Sequence, residues 1–179
     1  MTTDIVYDIV ETKEAAKRHT IAILVDDEFG VLARVVGLFS GRGYNIESLT
    51  VSLVDEEKKL SRITVTTRGT DAVIKQIIAL LDRLVPVHRV HDLTVEGPHV
   101  ERELALVKVK CTGKKRVEAM RVADMFRARA VDSSTKSFVF EITGASEKID
   151  AFIALMKPLG LTEISRTGVV AMGRGSEEF

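Results

Sequence analysis

The spacing of apolar and polar positions changes several times along this chain, and each change marks an element. Residues 19–25, HTIAILV, are nearly all apolar and predict a buried strand. From Val31 to Arg42, the side chains of Leu32, Val35, Val36 and Phe39 recur at the spacing of one helical face. From Ser48 the pattern alternates, with Leu49, Val51 and Leu53 on one side and Ser48, Thr50 and Ser52 on the other. That is a strand with one buried and one polar face. Residues 55–59, DEEKK, form a charged hairpin, and Ile63 and Val65 alternate with Thr64 and Thr66 in the strand after it. Thr70 or Asp71 caps a helix whose stripe is Val73, Ile74, Ile77, Ile78, Leu81 and Leu84. Residues 86–95 read as a fourth strand, and Gly97-Pro98 marks a boundary. The order is βαββαβ.

The remainder repeats this plan. The pattern predicts a strand over 104–111, a helix over 117–127, a hairpin from 130–133 and 137–143, a helix over 149–159 and a last strand over 161–172. The repeat is visible in letters: RVVGLFSGRG (34–43) aligns with RVADMFRARA (121–130), and GTDAVIKQIIALL (69–81) with GASEKIDAFIALM (144–156). The second copy is shorter, and the loss falls at its hairpin. Internal similarity of this size implies two copies of one unit. The expected fold class is α+β: two ferredoxin-like βαββαβ domains, each a four-stranded antiparallel sheet with both helices on one face. The expected division is a polar leader over 1–18, a first domain over 19–96 and a second over 97–179. The opposite sheet face, lined by serine and threonine, should stay open. Small sheets with free edges tend to pair, so a symmetric homodimer is expected.

Composition narrows the function. The chain has 179 residues, and 26 basic side chains balance 26 acidic ones. Nucleic-acid binders are usually basic over at least one domain, which speaks against that class. RNA-recognition domains share the βαββαβ order, but the candidate strand 60–68 has no aromatic side chain to stack a base. The single cysteine, Cys111, excludes a disulfide framework and a cysteine-rich zinc site. His19, His88, His91 and His99 have no accompanying ligand spacing, and no nucleotide fingerprint or paired nucleophile and base stands out. No catalytic activity and no metal are therefore expected of the chain itself. The first twenty residues are mixed in charge, and no apolar run is long enough to span a membrane, so a cytoplasmic protein is expected.

One stretch calls for chemistry. In VDDEFGVLARVVGLFSGRGYNIESL (25–49) a strand hands over to a helix through Asp27 and Gly30. The first turn of a helix has unpaired N–H groups and the positive end of the helix dipole, so it can seat a carboxylate. Glycine clears the approach to that backbone. Asp27 offers an ammonium partner, and Val31 and Leu32 offer apolar surface. An anion seat beside a cation seat fits a free amino acid. The same letters also fit a plain helix cap with acidic residues favouring the dipole. The repeat weighs between the two, because Gly30 aligns with Val117 and Asp27 with Lys114. The second copy keeps the core and lacks the loop, which favours a ligand role in the first.

The segments FGVLARVVGLFSGRGYNIESLTV, LSRITV, HVERELALVKVK and SRTGVVAMGRG together resemble the small, regulatory subunits of acetohydroxyacid synthase (acetolactate synthase). The resemblance runs from about His19 to Gly175. It implies an N-terminal ACT domain and a C-terminal domain of similar topology. It implies a subunit that activates a catalytic large subunit in branched-chain amino acid biosynthesis and confers feedback inhibition by valine. Thiamine diphosphate, magnesium and FAD would then sit in the large subunit and none of them in this chain. Valine would bind between two ACT domains, with Asp27, Gly30, Val31 and Leu32 from one chain and Asn45 and Ile46 from its partner. Many members have asparagine at the position of Asp27, and Phe29 stands where a smaller residue or proline is usual. The first unit alone would also suit an ACT regulator of another biosynthetic enzyme; the second-domain motifs favour acetolactate synthase.

Overall fold

A computed structural model describes residues 15–176. The leader expected at 1–18 lies outside the described residues apart from 15–18, and of these Lys17 and Arg18 already belong to the first strand. The first unit comprises β1 (Lys17–Asp26), α1 (Val31–Ser40), β2 (Ser48–Asp55), β3 (Leu60–Gly69), α2 (Asp71–Leu81) and β4 (Val87–Asp92). Its strands lie antiparallel in the order β2-β3-β1-β4. Ile21, Ile23 and Val25 of β1 and Ile63 and Val65 of β3 point to one face. There they pack with Val35 and Phe39 of α1 and Ile74, Ile77 and Leu81 of α2. Thr70 caps α2, its hydroxyl accepting from the Val73 N–H at 3.4 Å.

The second unit has the same topology. It comprises β5 (His99–Lys110), α4 (Gly113–Phe126), β6 (Arg129–Ser133), β7 (Ser137–Gly144), α5 (Ser146–Gly160) and β8 (Leu161–Arg166), in sheet order β6-β7-β5-β8. Phe138, Phe140, Phe152, Ile149 and Met156 fill its core. The two-domain α+β fold expected from the repeat is the one observed, and the shortened hairpin of the second copy is β6-β7.

Several elements differ from the sequence pattern; β5 starts at His99 rather than Leu104, and α5 at Ser146 rather than Ile149. The fourth strand ends at Asp92 rather than continuing to residue 95, because the Asp92 carboxylate accepts from the Thr94 N–H at 3.0 Å and caps a one-turn helix, α3 (Leu93–Glu96). The expected last strand divides into β8 and β9 (Val170–Gly173), because Gly168 adopts φ +83 between them. β9 pairs with the first third of β5, from His99 to Arg102. Finally, α4 begins at Gly113 rather than Val117. Its extra turn stands where the first unit has its β1–α1 loop.

β9 also overturns the expectation of an open sheet face. It lies across the polar face of the first sheet. The Thr50 hydroxyl donates to the Val169 carbonyl at 2.9 Å, and Arg62 Nη2 to the Ala171 carbonyl at 2.8 Å. Val169 and Ala171 bury a small apolar cluster with Ala22 and Leu93. Thr20, Thr64 and Thr66 are consequently buried. The threonine-rich face is a layer between the two units. What remains uncovered is the second half of the edge strand β2, with Val51, Leu53 and Val54 exposed.

Candidate functional site

The loop from Asp27 to Gly30 sits at one end of the first sheet. Gly30 holds φ +86 and ψ −6, a left-handed conformation that a side chain disfavours. It occupies the N-cap of α1 without any side-chain hydrogen bond to the first turn. The capping reading of this loop thus lacks its bond. The first regular helical bond runs from the Arg34 N–H to the Gly30 carbonyl at 3.0 Å, and the Val31 N–H makes only a long 3.4 Å contact to Glu28. The Leu32 and Ala33 amides have no acceptor among the described residues. Open donors at the positive end of a helix, beside a glycine with nothing within 4 Å of its missing Cβ, leave room for an anion.

Asp27 is held through both its backbone and its side chain. Its N–H donates to the Lys59 carbonyl at 2.7 Å, and its Oδ1 accepts from the Ser61 hydroxyl at 2.9 Å. Among the described residues, no donor is bonded to the second carboxylate oxygen, which could take an ammonium group. Leu32 is 41% exposed and offers apolar surface, whereas Val31 is 3% exposed and belongs to the core. Of these two apolar residues, Leu32 alone presents its side chain at the surface of the loop. Phe29 is fully exposed.

Asn45 and Ile46 lie elsewhere. The Asn45 carbonyl accepts from the Thr67 hydroxyl at 2.6 Å, and Ile46 packs half-buried against the first core. Ser61 and Thr67 stand at opposite ends of β3, roughly 20 Å apart at strand rise. α1 separates the same two groups by about 15 Å. Within one chain, Asp27, Gly30 and Leu32 come together and Asn45 and Ile46 do not join them. Ser61 and Thr67, which anchor the two halves, were missed by the sequence reading. They are ordinary strand hydroxyls whose role depends on register.

The residues of this loop fall inside a segment, 21–89, that matches the AHAS small subunit-like ACT domain. Residues 102–175 match the small subunit of acetolactate synthase. A probable acetolactate synthase small subunit of Archaeoglobus fulgidus is 47% identical over 90% of this chain and 99% of its own length. The chain belongs to the acetolactate synthase small-subunit family.

Other members agree over the same span. The isozyme 3 small subunit of Escherichia coli is 42% identical over 89% of this chain and 98% of its own. The crystal structure of the acetolactate synthase small subunit from Thermotoga maritima superposes with a TM-score of 0.79, at 38% identity, covering 90% of this chain and 99% of that one. Acetolactate synthase small subunits are thus similar to this chain across both of its units. Among the described residues, no cluster of histidine, cysteine, aspartate or glutamate is arranged to hold a metal ion, and no helix is long and apolar enough to cross a membrane.

Proposed function

We propose that the chain acts in the cytoplasm as the regulatory subunit of acetolactate synthase, raising the activity of a catalytic large subunit and returning it to a low level when valine accumulates. The first unit, 19–96, is the effector-binding and dimerising ACT domain; the second, 97–179, completes the subunit. The observation that carries this reading is the split arrangement just described. Asp27, Gly30 and Leu32 gather at one end of α1, and Asn45 and Ile46 at the other. Two chains related by a two-fold axis would set the loop of one against the strand foot of the other, twice. The uncovered β2 edge, with Val51 and Leu53 exposed, suits that pairing.

The valine carboxylate takes the first-turn amides of α1. The helix dipole contributes on the order of 0.3–2 kcal/mol to that contact, depending on burial. The ammonium takes the free oxygen of Asp27, and the isopropyl group lies on Leu32. Asn45 supplies a side-chain amide from the partner. Binding stiffens the dimer, and a coupling of about 1–3 kcal/mol is enough to change large-subunit behaviour 5–150-fold. The chemistry of the reaction, with thiamine diphosphate, magnesium and FAD, belongs to the large subunit; this chain carries no catalytic step.

Calorimetric titration of the purified chain with valine, beside a sizing run, tests the reading. Saturable binding by a dimer supports it, and Gly30→Asp should abolish valine inhibition of the reconstituted complex while sparing stimulation. Unchanged inhibition in that variant would place the effector elsewhere.

A further inference from the structure

The two sheets bear different residues on the face turned away from their helices. In the first, Ala22 pairs with Thr64, and Thr20 with Thr66; these small side chains let β9 lie close across the sheet. At the equivalent positions of the second sheet Leu106 pairs with Glu141, and Leu104 with Thr143. Among the described residues, no strand crosses this second face. Leu106 lies on a central strand, yet it is 38% exposed, whereas Ala22 is buried.

Two cross-strand rows form the centre of the face. From β6 to β8, one row reads Arg129, Glu141, Leu106 and Ser165, and the next reads Asp132, Val139, Lys108 and Glu163. Each row holds an ion pair: Arg129 Nη2 to Glu141 Oε1 at 2.6 Å, and Lys108 Nζ to Glu163 Oε2 at 2.7 Å. The hydrogen bond and charge of Glu163, and after them the charge of Asp132, raise Lys108 above the ordinary lysine range, as groups sharing one face do. Lys110 follows at the end of β5, opposite Ser137. From Leu104 onward the face thus carries Lys108, Lys110 and Arg129 against Asp132, Glu141 and Glu163, with no excess of either sign. A partner of one sign would meet a repulsion for each attraction there. A partner of mixed sign, in matching order, would not.

We infer that the open face of the second sheet is a contact between two copies of this chain. The face is complementary to itself. A two-fold axis crossing the strands between the two rows sets Arg129 over the partner's Asp132 and Lys108 beside the partner's Glu141, and symmetry makes each contact twice. Leu104, Leu106 and Val139 supply the apolar centre, and the charged groups form the rim. Sheets packed in this way lie about 10 Å apart, within reach of the side chains of both. The contact lies on the second unit, apart from the β2 edge, and does not rest on valine being the effector.

Sedimentation equilibrium of the full chain is the test. Leu106→Asp, Arg129→Asp and Asp132→Arg should each weaken self-association about tenfold. Combining Arg129→Asp with Asp132→Arg exchanges the two signs and restores attraction between copies. The double variant should therefore return to within about threefold of the parent, although the Arg129–Glu141 pair inside the chain stays broken. The circular dichroism spectrum and urea slope of each variant should match the parent, excluding loss of the fold as the cause. Self-association untouched by Leu106→Asp, or a double variant no tighter than the single ones, would overturn the inference. A parent monomeric at every concentration would do the same. Association that survives all these variants and falls only with Leu53→Glu would place the contact at the β2 edge alone, overturning the inference and leaving the proposed function intact. Weaker binding of Leu106→Asp to the large subunit, with self-association unchanged, would overturn it in favour of that partner.

Discussion

His19 and Asp92 form a closed pair inside the first unit, Nδ1 to Oδ2 at 2.7 Å, with 3% and 2% of their side chains exposed. Asp92 spends its other oxygen on the Thr94 N–H, at the start of the α3 turn. His19 lies directly across the sheet from Thr67, whose hydroxyl holds Asn45. A line of buried polar groups therefore runs from the Asn45 half-site to the α3 turn, where Leu93 meets Val169 and Ala171. Removing the carboxylate strands a buried histidine and uncaps α3 together. Asp92→Ala should cost about 2–4 kcal/mol, from a lost charged hydrogen bond and a lost cap. A urea midpoint that falls with an unchanged slope is the expected result.

If the effector site is built from two chains, defects in its two halves should complement. Gly30→Asp and Asn45→Ala, each alone, should not bind valine. Denatured together and refolded, they form heterodimers with one intact site and one doubly broken site. Random pairing then restores about a quarter of the parent's binding capacity, as two-fold symmetry requires. Calorimetry on the mixture reads this directly. No recovery would mean that both residues act within one chain.

Two left-handed glycines should respond differently to the same substitution. At Gly30, with φ +86, an added Cβ meets nothing within 4 Å, so Gly30→Ala should cost only about 1–2 kcal/mol of backbone strain. At Gly160, with φ +113, the Cβ would stand 2.1 Å from the Lys110 carbonyl oxygen. Backbone must move there, and Gly160→Ala should exceed about 4 kcal/mol. Paired thermal melts of the two variants distinguish these costs.

Acid should loosen the junction between the units through Glu101. Burial pushes this carboxyl up; the Thr20 hydroxyl and then the Arg18 guanidinium, 3.0 Å away, pull it down and together prevail. Its value in the folded chain is therefore below the ordinary one. A depressed carboxyl contributes stability that is present above its unfolded pKa, about 4.3, and is lost as pH falls through the folded value. The parent should lose stability on acidification below about pH 5, and Glu101→Gln should lose less over the same interval. Urea midpoints compared at several pH values supply the measurement.

Much of the fold could be read from local pattern. The alternation of Leu49, Val51 and Leu53 with polar neighbours marked β2, and Val35 and Phe39 marked the buried face of α1. Failures fell where a distant partner decides the conformation. His99–Arg102 is a polar strand that exists because β9 pairs with it, and nothing nearby in sequence announces that partner. Lys114, Lys115 and Arg116 read as a solvated helix start, and they form the first turn of α4. Gly168 was the legible sign of the break between β8 and β9. At the candidate site, Gly30 stood out by its letter and its place. Ser61 and Thr67 could not, because strand register is set across the sheet rather than along the chain.

The ribbon formed by β9 on the first sheet has a consequence during synthesis. The chain emerges from the ribosome amino end first, and early domains ordinarily close before later ones exist. Here the threonine-rich face of the first sheet receives its cover from Val169 and Ala171, beyond the whole of the second unit's helices in the sequence. The nascent first unit must wait, with Thr50 and Arg62 hydrated, until Ala171 has been translated. Completion of the first unit is thereby tied to the arrival of β9, a strand made well after it.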